Sequence, residues 1–152
     1  MTPDAVGLRE IAVSRVYAAP RELVWRAWTE PERLVTWWGK RGHLAQPDSL
    51  VLEPWPGGRF HVTTRHEETG YEMTTRAVFR DVVALERLVF TEHDRGPNGE
   101  ATESVVIFTD LGGGRTALDL HTSITTTEEI HRAAVAGLTS ALERLGESLE
   151  AA

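Results

Sequence analysis

No cysteine occurs among the 152 residues, which excludes disulfides, thiolate metal ligands and a cysteine nucleophile, and suits a reducing cytoplasm. No apolar run approaches the roughly 18 residues that a membrane span needs. The opening MTPDAVGLRE carries neither the basic stretch nor the apolar core of a secretory leader, so a cytoplasmic location and no membrane partner are expected. An excess of positive charge is missing too: 16 Lys and Arg stand against 23 Asp and Glu, a formal net charge of -7. Phosphate backbones would be repelled, so nucleic acid is not an expected partner.

Catalytic signatures are equally scarce. There is no HExxH and no GxSxG. The six histidines show no convergent spacing, and His66 with Glu67 and Glu68, the nearest approach to a ligand cluster, falls in a predicted hairpin turn, where a solvated charge run is the ordinary reading. The run Gly112 to Gly114 lacks the lysine and the following helix of a phosphate loop and reads as a hairpin turn. Neither a metal nor a cofactor is expected.

What is present is the composition of a globular protein, with 41% hydrophobic and 26% charged residues. A chain of this size buries roughly 68–70% of its unfolded surface around one core, and one domain over residues 8–150, after a tail of residues 1–7, is expected. From Leu8 to Tyr17 the pattern alternates as a half-buried strand does. Pro20 and Pro31 each open a short helical pattern, the second carrying Leu34, Val35, Trp37 and Trp38 up to Gly39. Residues 39–47 read as a loop, and Ser49 to Glu53 as a strand. The turn EPWPGGRF then leads into alternating runs at Arg59–Arg65, Tyr71–Arg80, Arg87–His93, Thr102–Asp110 and Thr116–Thr122. Their separators, EETG, DVVALE, DRGPNGE and LGGG, suit antiparallel hairpins. A capping-box spacing from Thr126 to Glu129 opens a helix of about 22 residues, whose apolar stripe includes Ile130, Ala134, Leu138, Ala141, Leu142 and Leu145. The expected order is one strand, two short helices, six strands and a long helix.

That order, with the words RVYAAPRELVWRAWTEPERLVTWWG, PWPGGRF, ERLVFTE and DLGGGRT, resembles the START-like (SRPBCC, helix-grip) superfamily, and within it the family named for the activator of the heat-shock-protein ATPase. The likeness runs from about Val13 to Leu149. It implies an α+β fold in which a curved antiparallel β-sheet wraps a long C-terminal helix, with two short helices between the first two strands closing one end of a cavity. The chain departs from the family pattern at Lys40, where a proline commonly follows the Trp-Trp-Gly word. It departs again at Ala133, Ala134 and Leu138, where glycine, methionine and tryptophan are usual. Smaller side chains there should enlarge the cavity or shift its mouth.

Strand parity projects Phe60, Val62 and Thr64 inward, with Tyr71, Met73 and Phe79 beside them. Phe90, Ser104 and Phe108 continue the same face, and Glu92, on the parity of Phe90, is the one carboxylate that parity aims inward, with a strand-end position in solvent as the alternative. Trp37 and Trp38 close the end, one facing in and the other near the mouth, while Leu138, Ala141 and Leu142 come from the helix. Thr64, Tyr71 and Ser104 on an inner face call for partners or water. These residues define an expected enclosed, mainly apolar cavity of the order of 300–1,000 Å³.

Binding of a small hydrophobic molecule, lipid, polyketide or aromatic-like, is the leading functional expectation. A cyclase- or hydrolase-like enzyme would need a titratable pair converging in the cavity, such as Glu92 with a histidine or Tyr71. A co-chaperone or interaction module, the alternative that the family name implies, would need a contiguous exposed apolar patch. A chaperone partner and a homodimer are left open.

Overall fold

The computed structural model describes residues 5–93 and 101–151. Strand β1, Gly7–Tyr17, buries Ile11, Val13 and Tyr17 and turns the alternate residues to solvent, as the two-residue repeat of a strand dictates. Helix α1, Arg21–Thr29, begins after Pro20, whose φ of -66° prepares the first turn. Helix α2 is one turn, Pro31–Leu34, shorter than the pattern through Trp38 predicts. Beyond it the Trp37 Nε1 donates to the Ala27 carbonyl at 2.9 Å, and this contact holds the ring against α1.

Strands β2 (His43–Ala45), β3 (Val51–Leu52), β4 (Arg59–His66), β5 (Glu72–Val83), β6 (Arg87–Glu92), β7 (Thr102–Gly112) and β8 (Arg115–Thr126) complete one antiparallel sheet. Its order is β1-β8-β7-β6-β5-β4-β2, with β3 also on β4. Seven strands therefore follow the helices where the sequence pattern predicts six. The extra one, β2, lies in the stretch that reads as a loop. It exists because His43, Leu44 and Ala45 pair with His66, Arg65 and Thr64, a long-range ladder with no local period. The predicted strand at Ser49 to Glu53 shrinks to β3, since Pro47–Ser49 forms a turn of 3-10 helix. The DRGPNGE connection lies, from Asp94 to Glu100, outside the described residues, as do the first four residues of the predicted tail.

Two features bend the sheet. The register shifts between Phe79 and Asp81 and again between Asp110 and Gly112, and each such bulge kinks its strand and increases the local twist. The β7–β8 hairpin then closes through Gly113 and Gly114, both at positive φ (65° and 74°), which a tight two-residue turn requires. In the word PWPGGRF, a Cβ on Gly58 would meet the Glu53 carbonyl oxygen at 1.9 Å. Only glycine lets the chain fold back so closely there.

Helix α3, Glu128–Ala151, has 24 residues, about 36 Å of length. Thr126 ends β8, and the hydroxyl of Thr127 accepts the Ile130 N–H at 3.3 Å, one residue later than the predicted Thr126–Glu129 box. The two halves of α3 dock differently. Ala141, Leu142 and Leu145 are buried, and the Tyr17 hydroxyl donates to the Leu142 carbonyl at 2.8 Å. Toward the N-terminus Ala134 and Leu138 are half-buried, and Ile130 is 52% exposed. The result is the α+β helix-grip fold: a curled half-barrel holding its last helix tightly at one end and standing off from it at the other. Among the described residues no helix is long and apolar enough to cross a membrane.

Candidate functional site: a cavity under the last helix

The space beneath the loosely docked half of α3 is a cavity of about 420 Å³, within the range usual for small-molecule sites. Small side chains make it. Ala133, Ala134 and Gly137 line its helix side with Ile130, Leu138, Ala141 and Leu142. The sheet contributes Ile11, Thr64, Phe90 and Leu120 from four different strands. Exposed residues at its edge, Lys40, Met73 and Ile130, leave it open to solvent on one side rather than enclosed as predicted.

Trp28, Trp37 and Trp38 all line the end wall and meet edge to face. Ring centroids lie 4.9 Å apart for Trp28–Trp37, 5.9 Å for Trp28–Trp38 and 5.5 Å for Trp37–Trp38. Such pairs add about 0.5–1.5 kcal/mol each beyond the area they bury. Trp37 is 1% exposed and held by its hydrogen bond to Ala27, so it acts mainly as an anchor. Trp38 is half-buried and packs on Phe60 at 4.8 Å, where it joins the wall to the sheet.

Of the predicted site residues, the structure brings Trp37, Trp38, Thr64, Met73 and Phe90 to the cavity, together with Glu92, Ser104, Leu138, Ala141 and Leu142. Four others lie elsewhere. Phe60 and Phe79 stack behind the lining at 5.7 Å, and Phe108 packs on Trp25 at 5.1 Å. Tyr71 precedes β5 and is 65% exposed, because the hairpin turn releases it from the inward parity of the strand. Ser104 donates to Thr122 Oγ1 at 3.1 Å, which in turn donates to the Glu103 carbonyl at 3.0 Å. An inner hydroxyl pair is thus satisfied within the sheet. Glu92 Oε2 accepts the Arg76 backbone N–H at 3.4 Å.

His43 is the main residue that the sequence pattern does not reveal. It sits on β2, is 6% exposed and lines the cavity, and its Nδ1 has no hydrogen-bond partner. Burial lowers its pKa, and Lys40, His66 and Arg144 lower it further, all favouring the neutral ring. The His66 ring packs at right angles to it, 4.9 Å away, with its own Nδ1 accepting the N–H groups of Glu68 and Thr69 in the turn. Trp28 Nε1 is a second buried polar atom of the lining without a partner. Such atoms are uncommon in native interiors and call for a physical cause.

The segment carrying Lys40 and His43 is tied to α3. Arg144 donates to the carbonyls of Gly39 at 2.8 Å and His43 at 2.9 Å, and Ser140 Oγ accepts the Arg41 N–H at 3.0 Å. Arg41 also pairs with Glu147 at 2.9 Å. Lys40 then lies along the helix, since a Cβ on Gly137 would sit 3.5 Å from its Cδ. Arg15, on the inward parity of β1, reaches Glu143 at 3.8 Å with its side chain 39% exposed.

Fold and cavity together define a helix-grip protein with an open, mainly apolar pocket. Residues 18–150 match the model of the family described as activator of Hsp90 ATPase homolog 1-like protein, and the chain belongs to that family. Solved structures share the fold. A protein from Nitrosomonas europaea is 23% identical, with 93% of this chain and 94% of the other covered at a TM-score of 0.77. A protein from Silicibacter pomeroyi is 19% identical over 93% and 98% at 0.79, and one from Arthrobacter aurescens 20% identical over 99% and 94% at 0.78. At these identities the likeness is one of fold alone. No curated protein matches the chain.

Proposed function

We propose that the protein binds a small, mainly apolar molecule in the cavity between the sheet and the N-terminal half of α3. The observation that carries this reading is the 420 Å³ space walled by Trp28, Trp38, Phe90, Leu120 and Leu138. A native core fills such space with side chains. Here the small residues of the helix leave the space beneath it unfilled, and the C-terminal half of α3 bears the packing that keeps the domain folded.

An enzymatic reading draws on His43 and Glu92 lining the same cavity. The two stand on β2 and β6, with β4 and β5 between them in the sheet, so they would have to act across the cavity on one bond. A chaperone-directed role rests on the family's description.

Titrating the protein with a neutral apolar fluorophore tests binding. Saturable binding that Trp38→Ala weakens by about 1–3 kcal/mol, as for a buried aromatic anchor, is the expected result. No saturation with any probe of matching size would remove the proposal. Turnover of esters or epoxides that Glu92→Gln abolishes while probe binding persists would replace it with the enzymatic reading.

A further inference from the structure

The two ends of the cavity are chemically unlike, and one of them is basic. Lys40 lines it with its stem against the bare Gly137 backbone, and among the described residues no carboxylate lies within ion-pair distance of its ammonium. Next to it His43 presents a buried ring with an unpartnered Nδ1. Arg144 anchors the backbone on both sides, through Gly39 and His43. The lining carboxylate, Glu92, stands on β6, with β5 and β4 between it and β2.

We propose that the ligand is an amphipathic monocarboxylate, its carboxylate held by the Lys40 ammonium beside His43 and its apolar tail lying under α3 against Trp38, Phe90, Leu120 and Leu138. This rests on the cavity being a binding site, and adds the chemistry of the occupant. An anion there meets Lys40 at the open mouth, where a charge-assisted hydrogen bond to the ammonium is stronger than a neutral one. It also lies within the field of Arg144, whose charge reaches neighbouring His43. The size fits: at about 30 Å³ per water-sized group, 420 Å³ holds about 14 such groups, and decanoate has twelve non-hydrogen atoms, a count of the same order.

The test compares decanoate with methyl decanoate near pH 7.5 by displacement of an apolar fluorophore, in the wild-type protein and in Lys40→Met, which keeps an apolar stem and removes the charge. Lys40 is exposed, and thermal melts check that the variant folds as the parent does. The expected result is decanoate binding at least about tenfold tighter than the ester in the wild type. In Lys40→Met that preference should fall to near unity while ester affinity stays within about threefold. Equal affinities in the wild type, or a preference that survives Lys40→Met, would overturn the carboxylate assignment and leave the cavity reading standing. If neither compound displaces the fluorophore and none binds, the cavity reading itself fails.

Discussion

His43 shows how a single side chain takes its chemistry from its neighbours. Its folded-state pKa lies below the ordinary imidazole value, first through burial and then through the positive charges of Lys40 and Arg144 and the ring of His66. The folded state therefore binds fewer protons than the unfolded chain, whose histidine titrates near about 6.5. Stability from this group is present above that value and is lost as pH falls through the interval down to the lowered folded pKa. The carboxylates of Glu53 and Glu147, held low by hydrogen bonds from Arg59 and Arg41, lose their contribution only further down, as pH falls from the ordinary carboxylate range through their lowered folded pKa. Melting temperature should thus decline between about pH 7 and pH 5 in the wild type and decline less in His43→Gln. Parallel declines in the two proteins would show that the buried ring is not responsible. Gly58 is the other residue with a position-specific demand. A methyl group there would overlap the Glu53 carbonyl oxygen at 1.9 Å, so Gly58→Ala must open the turn before β4. A loss of about 1–3 kcal/mol in urea unfolding is expected, and an unchanged midpoint would mean the turn relaxes freely.

Among the elements, α3 divides its labour along its length. The C-terminal half provides attachment, through Leu142 and Leu145 at 1% and 0% exposure and the hydrogen bond from Tyr17. Gly146 lets the Tyr17 ring approach, since a Cβ there would stand 3.3 Å from Tyr17 Cε1. The N-terminal half provides room. Leu145→Asp should unfold the domain or lower its stability by several kcal/mol, because an isolated carboxylate in that interface must either protonate or be solvated. Unchanged thermal melting would show that this half is not docked. Strand β2 is the second element that serves two ends, since it finishes one edge of the sheet and also brings His43 to the cavity. Three residues of strand suffice because Arg144, Ser140 and Glu147 hold the preceding loop from the helix side.

For the whole molecule, tight packing and open space belong to different regions of one sheet. The tightly filled region gathers Leu88, Val106 and Leu118 with Leu34, Val24 and Leu145, all at 0% exposure. The cavity lies under the other half of the helix, where a ligand adds contacts without displacing a core side chain. Ligand that binds only the folded state raises its stability by about 2.7 kcal/mol at a hundredfold excess over Kd. The melting shifts with decanoate and with methyl decanoate, compared at equal concentration, should therefore give the same affinity ratio as the displacement assay. The net charge of -7 leaves the basic mouth as a local exception in an acidic protein. Its attraction for anions acts over roughly a Debye length of 8–10 Å and weakens with salt.

The order of elements, the inward face of most strands and the apolar stripe of α3 are legible in the amino-acid pattern alone, because they are periodic and each is set by a few neighbouring residues. Ile11, Val13 and Tyr17, or Phe60, Val62 and Thr64, are buried as alternation requires. The specific words around Trp37–Gly39 and Gly57–Gly58 were enough to point to the family and, through it, to a cavity. Where that cavity lies and how it is charged depended on packing between distant parts of the chain. Tyr71 left the lining because parity ends where a hairpin turn begins. Phe60, Phe79 and Phe108 receded behind it because inward-facing residues form a layer, of which only part meets open space. His43 and Lys40 entered it because a three-residue strand pairs with His66, Arg65 and Thr64, and because Arg144 holds Gly39 and His43 from 105 and 101 positions away. Contacts between residues so distant in sequence leave no local period, and the polar end of this site is made almost wholly of such contacts.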